Sequence, residues 1–365
     1  MTVRIVLVTL IAAFGLLLFI GSIHASTGVR SLAFDSLLPL PTLTPQAYLP
    51  LIINTMPPLS TTTHYVYIPS ESYYIALGCD EGQRRRPDQD VTVIFDWGYP
   101  ASRSGVYGAV TLDPLIFYPI SVITDMMEAY LTSFYVCSTE NGAHLTLGIG
   151  VNNHRTGEVT PQHGTAWVSL VNYLNDWIAS HSWQNRLRAY GAIDIEFAWN
   201  SYAVTRAWID AYNQGWRSPS NYLNFGSCDG CPWFDYPNSH PPGDWDYEAA
   251  YYVSWWARPA YPLPEIYLTN GGNADQWQRL TEWGVITSTH HSLMRFQGAL
   301  TQWAACLKRP GDCHGVYHTD NTPEQGWYQL WDWLNRSRNT AQSPRWSTDI
   351  RWDKDWPTPT PRPPK

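Results

Sequence analysis

The stretch RAYGAIDIEFAWNSYAVTRAWIDAYNQ, residues 188–214, decides the reading of the fold. Its first part, 188–195, is a short apolar run of the kind that forms a strand. Its second part, 201–214, carries apolar residues at three- and four-residue spacing, the mark of a helix packed on one face, and Asn200 or Ser201 offers it a cap. Working outward, the same unit recurs. Strands are expected at 91–96, 144–151, 188–195, 221–226, 264–268 and 293–299, and helices at 121–137, 165–180, 201–214, 245–256, 273–283 and 324–335. One or two further units fit into 65–78 or 106–119. Strands alternating with helices imply parallel strands covered by helices. The expected fold is therefore α/β, a single-domain (β/α)8-type, TIM-like barrel, with a doubly wound open sheet as the second choice. No glycine-rich nucleotide fingerprint follows the first strand, which weakens that second choice.

The termini read differently. Arg4 gives a positive start, an apolar run extends from Ile5 to Ile23, and Ile23-His24-Ala25 supplies a small residue suited to cleavage. The run is also close to the roughly 20 residues that span a bilayer, so residues 1–25 are expected to be a signal peptide or an N-terminal membrane anchor. Either way the chain is exported, to be secreted or tethered to the outer face of the membrane. Residues 26–64 hold Pro39, Pro41, Pro45, Pro50, Pro57 and Pro58 among threonines and serines, a composition expected to form a disordered stalk. The barrel is assigned to 65–353, and 354–365 to a proline-rich disordered tail.

Six cysteines in an exported chain read as disulfides: Cys79, Cys137, Cys228, Cys231, Cys306 and Cys313. Proximity favours Cys228 with Cys231 and Cys306 with Cys313, which leaves Cys79 for Cys137. A net charge of −8 disfavours nucleic acid or an anionic membrane surface as partner, because both need a basic face.

In a barrel of this kind chemistry sits where the strands finish, so the polar residues there are the candidates. Within Ile193-Asp194-Ile195-Glu196, the two acids are two apart and project to the same side of a strand. Two carboxylates sharing a site repel, so one keeps its proton while the other ionises, the division of labour that glycosidic cleavage needs. Asp96 ends an earlier strand and could share the task. Asn152, Asp229, Asn270 and Gln297 close or follow other expected strands. The chain has 20 tryptophans and 23 tyrosines, and exposed rings stack on sugar faces. Trp97, Tyr99, Trp199 and Trp255 are the rings expected near the mouth. Most tryptophans serve packing alone, so each ring is weighed against that use.

A first strand ending in Asp96, a middle strand ending Asp194-x-Glu196 and a last strand with Phe296-Gln297 resemble the layout of the family 25 lysozyme-type muramidases and related glycoside hydrolase-like domains. The resemblance implies Glu196 as general acid, Asp194 as its partner in stabilising charge, and Asp96 as an accessory acid. Segments 224–232 and 253–267 fall outside it. The function expected is an extracellular glycoside hydrolase acting as a monomer on a polysaccharide, a cell-wall glycan for example. The alternative is a non-catalytic module that binds carbohydrate or protein on the same scaffold. No cofactor is expected. The histidines lack the HExxH spacing of a helix-borne metal site, so no catalytic metal is assigned, although His314 and His318 share a cysteine-bounded loop. A serine nucleophile has no GxSxG elbow to carry it.

Overall fold

The computed structural model describes residues 56–355. The expected leader, most of the stalk and most of the tail lie outside the described residues. The chain opens with β1 (Thr61–Tyr65), α1 (Glu71–Gln83) and β2 (Asp90–Asp96). A small excursion follows, β3 (Tyr99–Arg103), β4 (Val106–Val110) and β5 (Phe117–Pro119), and leads into α2 (Ile120–Cys137). Regular alternation resumes with β6 (His144–Asn152), α3 (Pro161–Ser180), β7 (Leu187–Asp194), α4 (Tyr202–Gly215) and β8 (Tyr222–Asn224). After α5 (Tyr247–Tyr251) and a π-helical turn over Tyr252–Trp256 come β9 (Ala260–Pro262), α6 (Gly272–Ile286) and β10 (Gly298–Thr301). The short α7 (Trp303–Lys308) and α8 (Pro310–Cys313), then α9 (Pro323–Asn335) and β11 (Trp346–Trp352), complete the order.

Eight of these strands pair in parallel in the order β10-β11-β1-β2-β6-β7-β8-β9. The segment after β9 then meets β10 through the parallel bridge Glu265–Leu300, with Ile266 N–H donating to Leu300 O at 2.8 Å. The sheet thus curls into a nearly closed TIM-like barrel with helices outside, as the alternation predicted.

Strand periodicity sorts the side chains. Along β2, Val91, Val93 and Phe95 pack outward against the helices, while Ile94 turns into the barrel; along β7, Ala189 and Ile193 face out and Tyr190 and Ala192 face in. Leu223, Phe225, Leu263, Leu300, Trp346 and Ile350 join the inner cluster. Asp96 and Asp194 occupy the same inward phase as Ile94 and Ala192. Side-chain caps set the helix starts. Ser201 accepts from Val204 N–H at α4, Thr160 accepts from His163 N–H at α3, and Thr322 forms a capping box with Gln325 at α9.

Several expectations need correcting. The first strand starts at Thr61, inside the segment 26–64 given to the stalk, because Thr61 and Thr63 bury their hydroxyls against β2 and β11. Segment 106–119 supplies an antiparallel meander in place of a barrel unit. The strand expected at 264–268 is centred earlier, on Ala260–Pro262, and the one at 293–299 runs over Gly298–Thr301. The barrel's last strand, β11, was not among those expected; Ser347, Thr348, Asp349 and Arg351 interrupt the apolar run that marks the other strands.

Three disulfides join Cys79 to Cys137, Cys228 to Cys231 and Cys306 to Cys313. The first ties α1 to α2 across a sequence separation of 58, so it removes the most freedom from the unfolded chain. Replacing both Cys79 and Cys137 by alanine should lower the unfolding free energy by about 4 kcal/mol on a chain-entropy basis. Urea unfolding of the variant against the parent checks this, and an unchanged midpoint would contradict it.

Candidate active site

At the carboxyl ends of the strands, inside the barrel, the side chains of Asp194, Glu196 and Glu265 converge. One carboxylate oxygen from each lies within 4.8 Å of those of the other two. The first two come from β7 and its extension, where the residue spacing puts both on the inner face. Glu265 comes from the segment after β9, two strands around the barrel.

The approach depends on Gly226. Its carbonyl accepts from Glu265 N–H at 3.2 Å, and a Cβ at this position would stand 2.2 Å from Ile195 O. The backbone that follows β8 therefore presses against the strand bearing Glu196 on one side and holds Glu265 on the other. Ser227, the next residue, donates from its hydroxyl to Glu196 Oε2 at 2.7 Å and from its N–H to Oε1 at 3.2 Å.

Each acid has its own support. The Tyr65 hydroxyl donates to Asp194 Oδ2 at 3.1 Å, and the Tyr267 hydroxyl donates to Glu265 Oε1 at 2.8 Å. Asp96 accepts from Gly98 N–H at 3.0 Å, while its Oδ2, like Asp194 Oδ1 and Asn152 Nδ2, is buried with no partner within the protein. Asp194 and Asp96 are each 1% exposed, whereas Glu196 and Glu265 are half-buried.

The electrostatics follow from that burial. Desolvation, reinforced by the nearby acids, pushes Glu196 and Glu265 well above the usual carboxylate range. Asp96 is raised by burial and then by the charge of Asp194. Asp194 is pushed up by burial to about 7, with the Tyr65 hydrogen bond opposing the shift. The cluster thus holds its protons to higher pH than free carboxyl groups do, Asp194 to about 7. Arg206 pairs with Asp210 on α4 and Arg258 lines a cleft at the other end of the barrel, so neither neutralises the acids.

The remaining candidates separate. Asn152 ends β6 beside Asp194, accepting from His154 N–H through its Oδ1. Asp229, half-buried in the Cys228–Cys231 loop, raises Glu196 and Glu265 through its charge. Trp199 donates its backbone N–H to Glu196 O at 3.1 Å and is 36% exposed, its ring edge-on to His154. Trp97, by contrast, is fully buried in the outer core against Tyr74, and Tyr99 is 5% exposed beneath Arg155. Both rings are packing groups, not an open sugar platform.

Asn270 accepts from Gly272 N–H at the start of α6, shaping that turn. Gln297 immediately precedes β10, so it belongs to the amino end of the barrel, opposite the acids. Trp255 also leads into its strand from that end. Together with Trp216, Trp256 and Tyr261 it lines a cleft of about 870 Å³. Strand boundaries misjudged by a few residues exchange one end of a barrel for the other.

Glu265, Tyr267 and Tyr65 were not foreseen. The signal for the first two was present: Glu265-Ile266-Tyr267, inside the strand expected at 264–268, repeats the two-residue spacing of Asp194-Ile195-Glu196.

Since the folded-state pKa of Asp194 lies above that of the unfolded chain, its stabilising contribution is full below about pH 4 and is lost as pH rises through about 7. Asp194→Asn should therefore melt higher than the parent at pH 8, with the gap shrinking towards pH 4. Thermal melts across that range test this; a gap that widens on acidification would contradict it.

No family model, curated protein or solved structure matches the chain.

Proposed function

We propose that the protein is an extracellular glycoside hydrolase-like enzyme that cleaves a polysaccharide, a cell-wall glycan for example, by carboxylate acid/base catalysis. One observation carries the reading: three carboxyl groups, from β7 and the segment after β9, meet within 4.8 Å at the carboxyl mouth of a parallel barrel. Three disulfides suit an oxidising compartment, and among the described residues no helix is long and apolar enough to cross a membrane.

Glu196, half-buried and with its protonated form favoured by burial, donates its proton to the leaving glycosidic oxygen. Ser227 fixes the direction of that carboxyl. Asp194, deeper and nearer ionisation, supplies the negative charge that stabilises an oxocarbenium-like transition state. Glu265, in its ionised form, stands close enough to act as the second carboxyl of a displacement, and the hydrogen bond from Tyr267 favours that form. Carboxyl groups about 5–5.5 Å apart belong to retaining enzymes, and those about 6.5–9.5 Å apart to inverting ones. The crowding here favours retention. Asp96 is coupled to Asp194, whose charge opposes the ionisation of Asp96. Trp199 is the ring placed to receive a sugar face.

The test is hydrolysis of a panel of polysaccharides by the purified protein and by Glu196→Gln. The substitution should lower kcat by about 100- to 10,000-fold, the span attributed to a positioned general acid. Product released by the parent should keep the anomeric configuration of the substrate by NMR. Equal turnover in the variant would remove Glu196 from the chemistry. Binding of a glycan without turnover in either form would instead support a non-catalytic carbohydrate module.

A further inference from the structure

On the same face of the barrel, the loop between α8 and α9 carries three groups that the acid cluster does not use. His314, His318 and Asp320 each offer one ligand atom, all within 4.8 Å of one another. The two histidines face each other across an isolated antiparallel bridge, their ring centroids 5.0 Å apart. The chain turns between them through Gly315, Val316 and Tyr317. His314 Nε2 lies 3.2 Å from Asp320 Oδ2, and His318 Nδ1 lies 3.7 Å from Asp320 Oδ1.

We propose that this loop is a binding site for one first-row transition-metal ion of the zinc class, held by His314, His318 and Asp320. A tetrahedral zinc ion with bonds of about 2.0–2.2 Å requires neighbouring donor atoms about 3.3 Å apart. The two nitrogen-to-oxygen separations, one to each oxygen of Asp320, lie near that value, and with one donor from each residue already within 4.8 Å of the others, rotation of the side chains would bring the three to it. Two imidazoles with one carboxylate suit zinc, copper or nickel, whereas calcium and magnesium take oxygen ligands. Solvent completes the shell, because both rings are largely exposed.

The backbone holds the donors in place beforehand. Cys313, the residue before His314, is fixed by its disulfide to Cys306, and Cys313 O accepts from Thr319 N–H at 3.1 Å. His318 O accepts from Thr269 N–H at 2.9 Å, and Asn321 Nδ2 donates to Ile266 O and Leu268 O. The loop is therefore stitched to the segment that carries Glu265 and Tyr267. An ion here braces that segment from outside without touching the acids. An alternative use of the same groups, a surface cluster of hydrogen bonds between two imidazoles and a carboxylate, would bind no metal.

The experiment is a calorimetric titration of zinc chloride into the full chain, purified with its disulfides intact and without a polyhistidine tag. His314→Ala, His318→Ala and Asp320→Asn are compared with Glu265→Gln, which alters the other carboxyl cluster. One ion per chain is expected, with Glu265→Gln unchanged and each histidine variant weakened at least about 10-fold, the lower end of what losing an outer metal partner alone costs. Cobalt should give visible ligand-field absorption in the parent and lose it in His318→Ala. Both histidines are exposed, and an unchanged near-ultraviolet spectrum establishes that the variants fold. Absence of saturable zinc binding would overturn the proposal. So would an isotherm unaffected by His318→Ala, or one abolished by Glu265→Gln, which would move the ion to the acids. The outcome is independent of whether the acid cluster cleaves glycans.

Discussion

The structure is organised around mutual repulsion among buried acids. Asp96, Asp194, Glu196 and Glu265 crowd into the desolvated mouth of the barrel, where an unpaired charge is far costlier than in water. The fold answers with raised pKa values and with hydrogen-bond donors: Tyr65 on Asp194, Ser227 on Glu196 and Tyr267 on Glu265. The rest of the chain must be rigid enough to keep these groups together, since relaxation by an ångström would let water in and dissolve the pKa differences.

That rigidity has visible sources. The outer layer is packed with large rings, among them the fully buried Trp97, Trp167, Trp208, Trp277 and Trp327. Much of the aromatic content thus serves the interface between strands and helices. The Cys79–Cys137 bond clamps the first two helices, and Gly226 permits a strand contact too close for any side chain. Of the eight barrel strands β8 and β9 are the shortest, at three residues each, and the loop after β8 carries the Cys228–Cys231 disulfide.

Aromatic groups divide by depth. Trp199 remains accessible beside Glu196, whereas Trp255 and Trp256 belong to a cleft at the amino end, far around the fold from the acids. Proximity in sequence to a strand is therefore a weak guide to which end of a barrel a ring serves. The π-helical turn at Tyr252–Trp256 is the local reason, because it turns this pair of tryptophans to the side that feeds β9.

The sequence by itself determined the alternation of strands and helices, the parallel strands that this implies and the shared face of Asp194 and Glu196, since each follows from period or spacing along the chain; it favoured a barrel and the two short-range disulfides without fixing the closure or the Cys79–Cys137 bond. Residues two apart on a strand share a face wherever the strand lies. Only the tertiary structure decided that Glu265, 69 positions beyond Glu196 in the chain, closes the acid cluster. It likewise decided that Trp97 is buried and that Gln297 belongs to the opposite end. The place of Glu265 depends on pairing between segments distant in the chain, the Gly226 contact and the Glu265–Leu300 bridge, and the burial of Trp97 on packing against Tyr74, neither of which is a local property of the sequence.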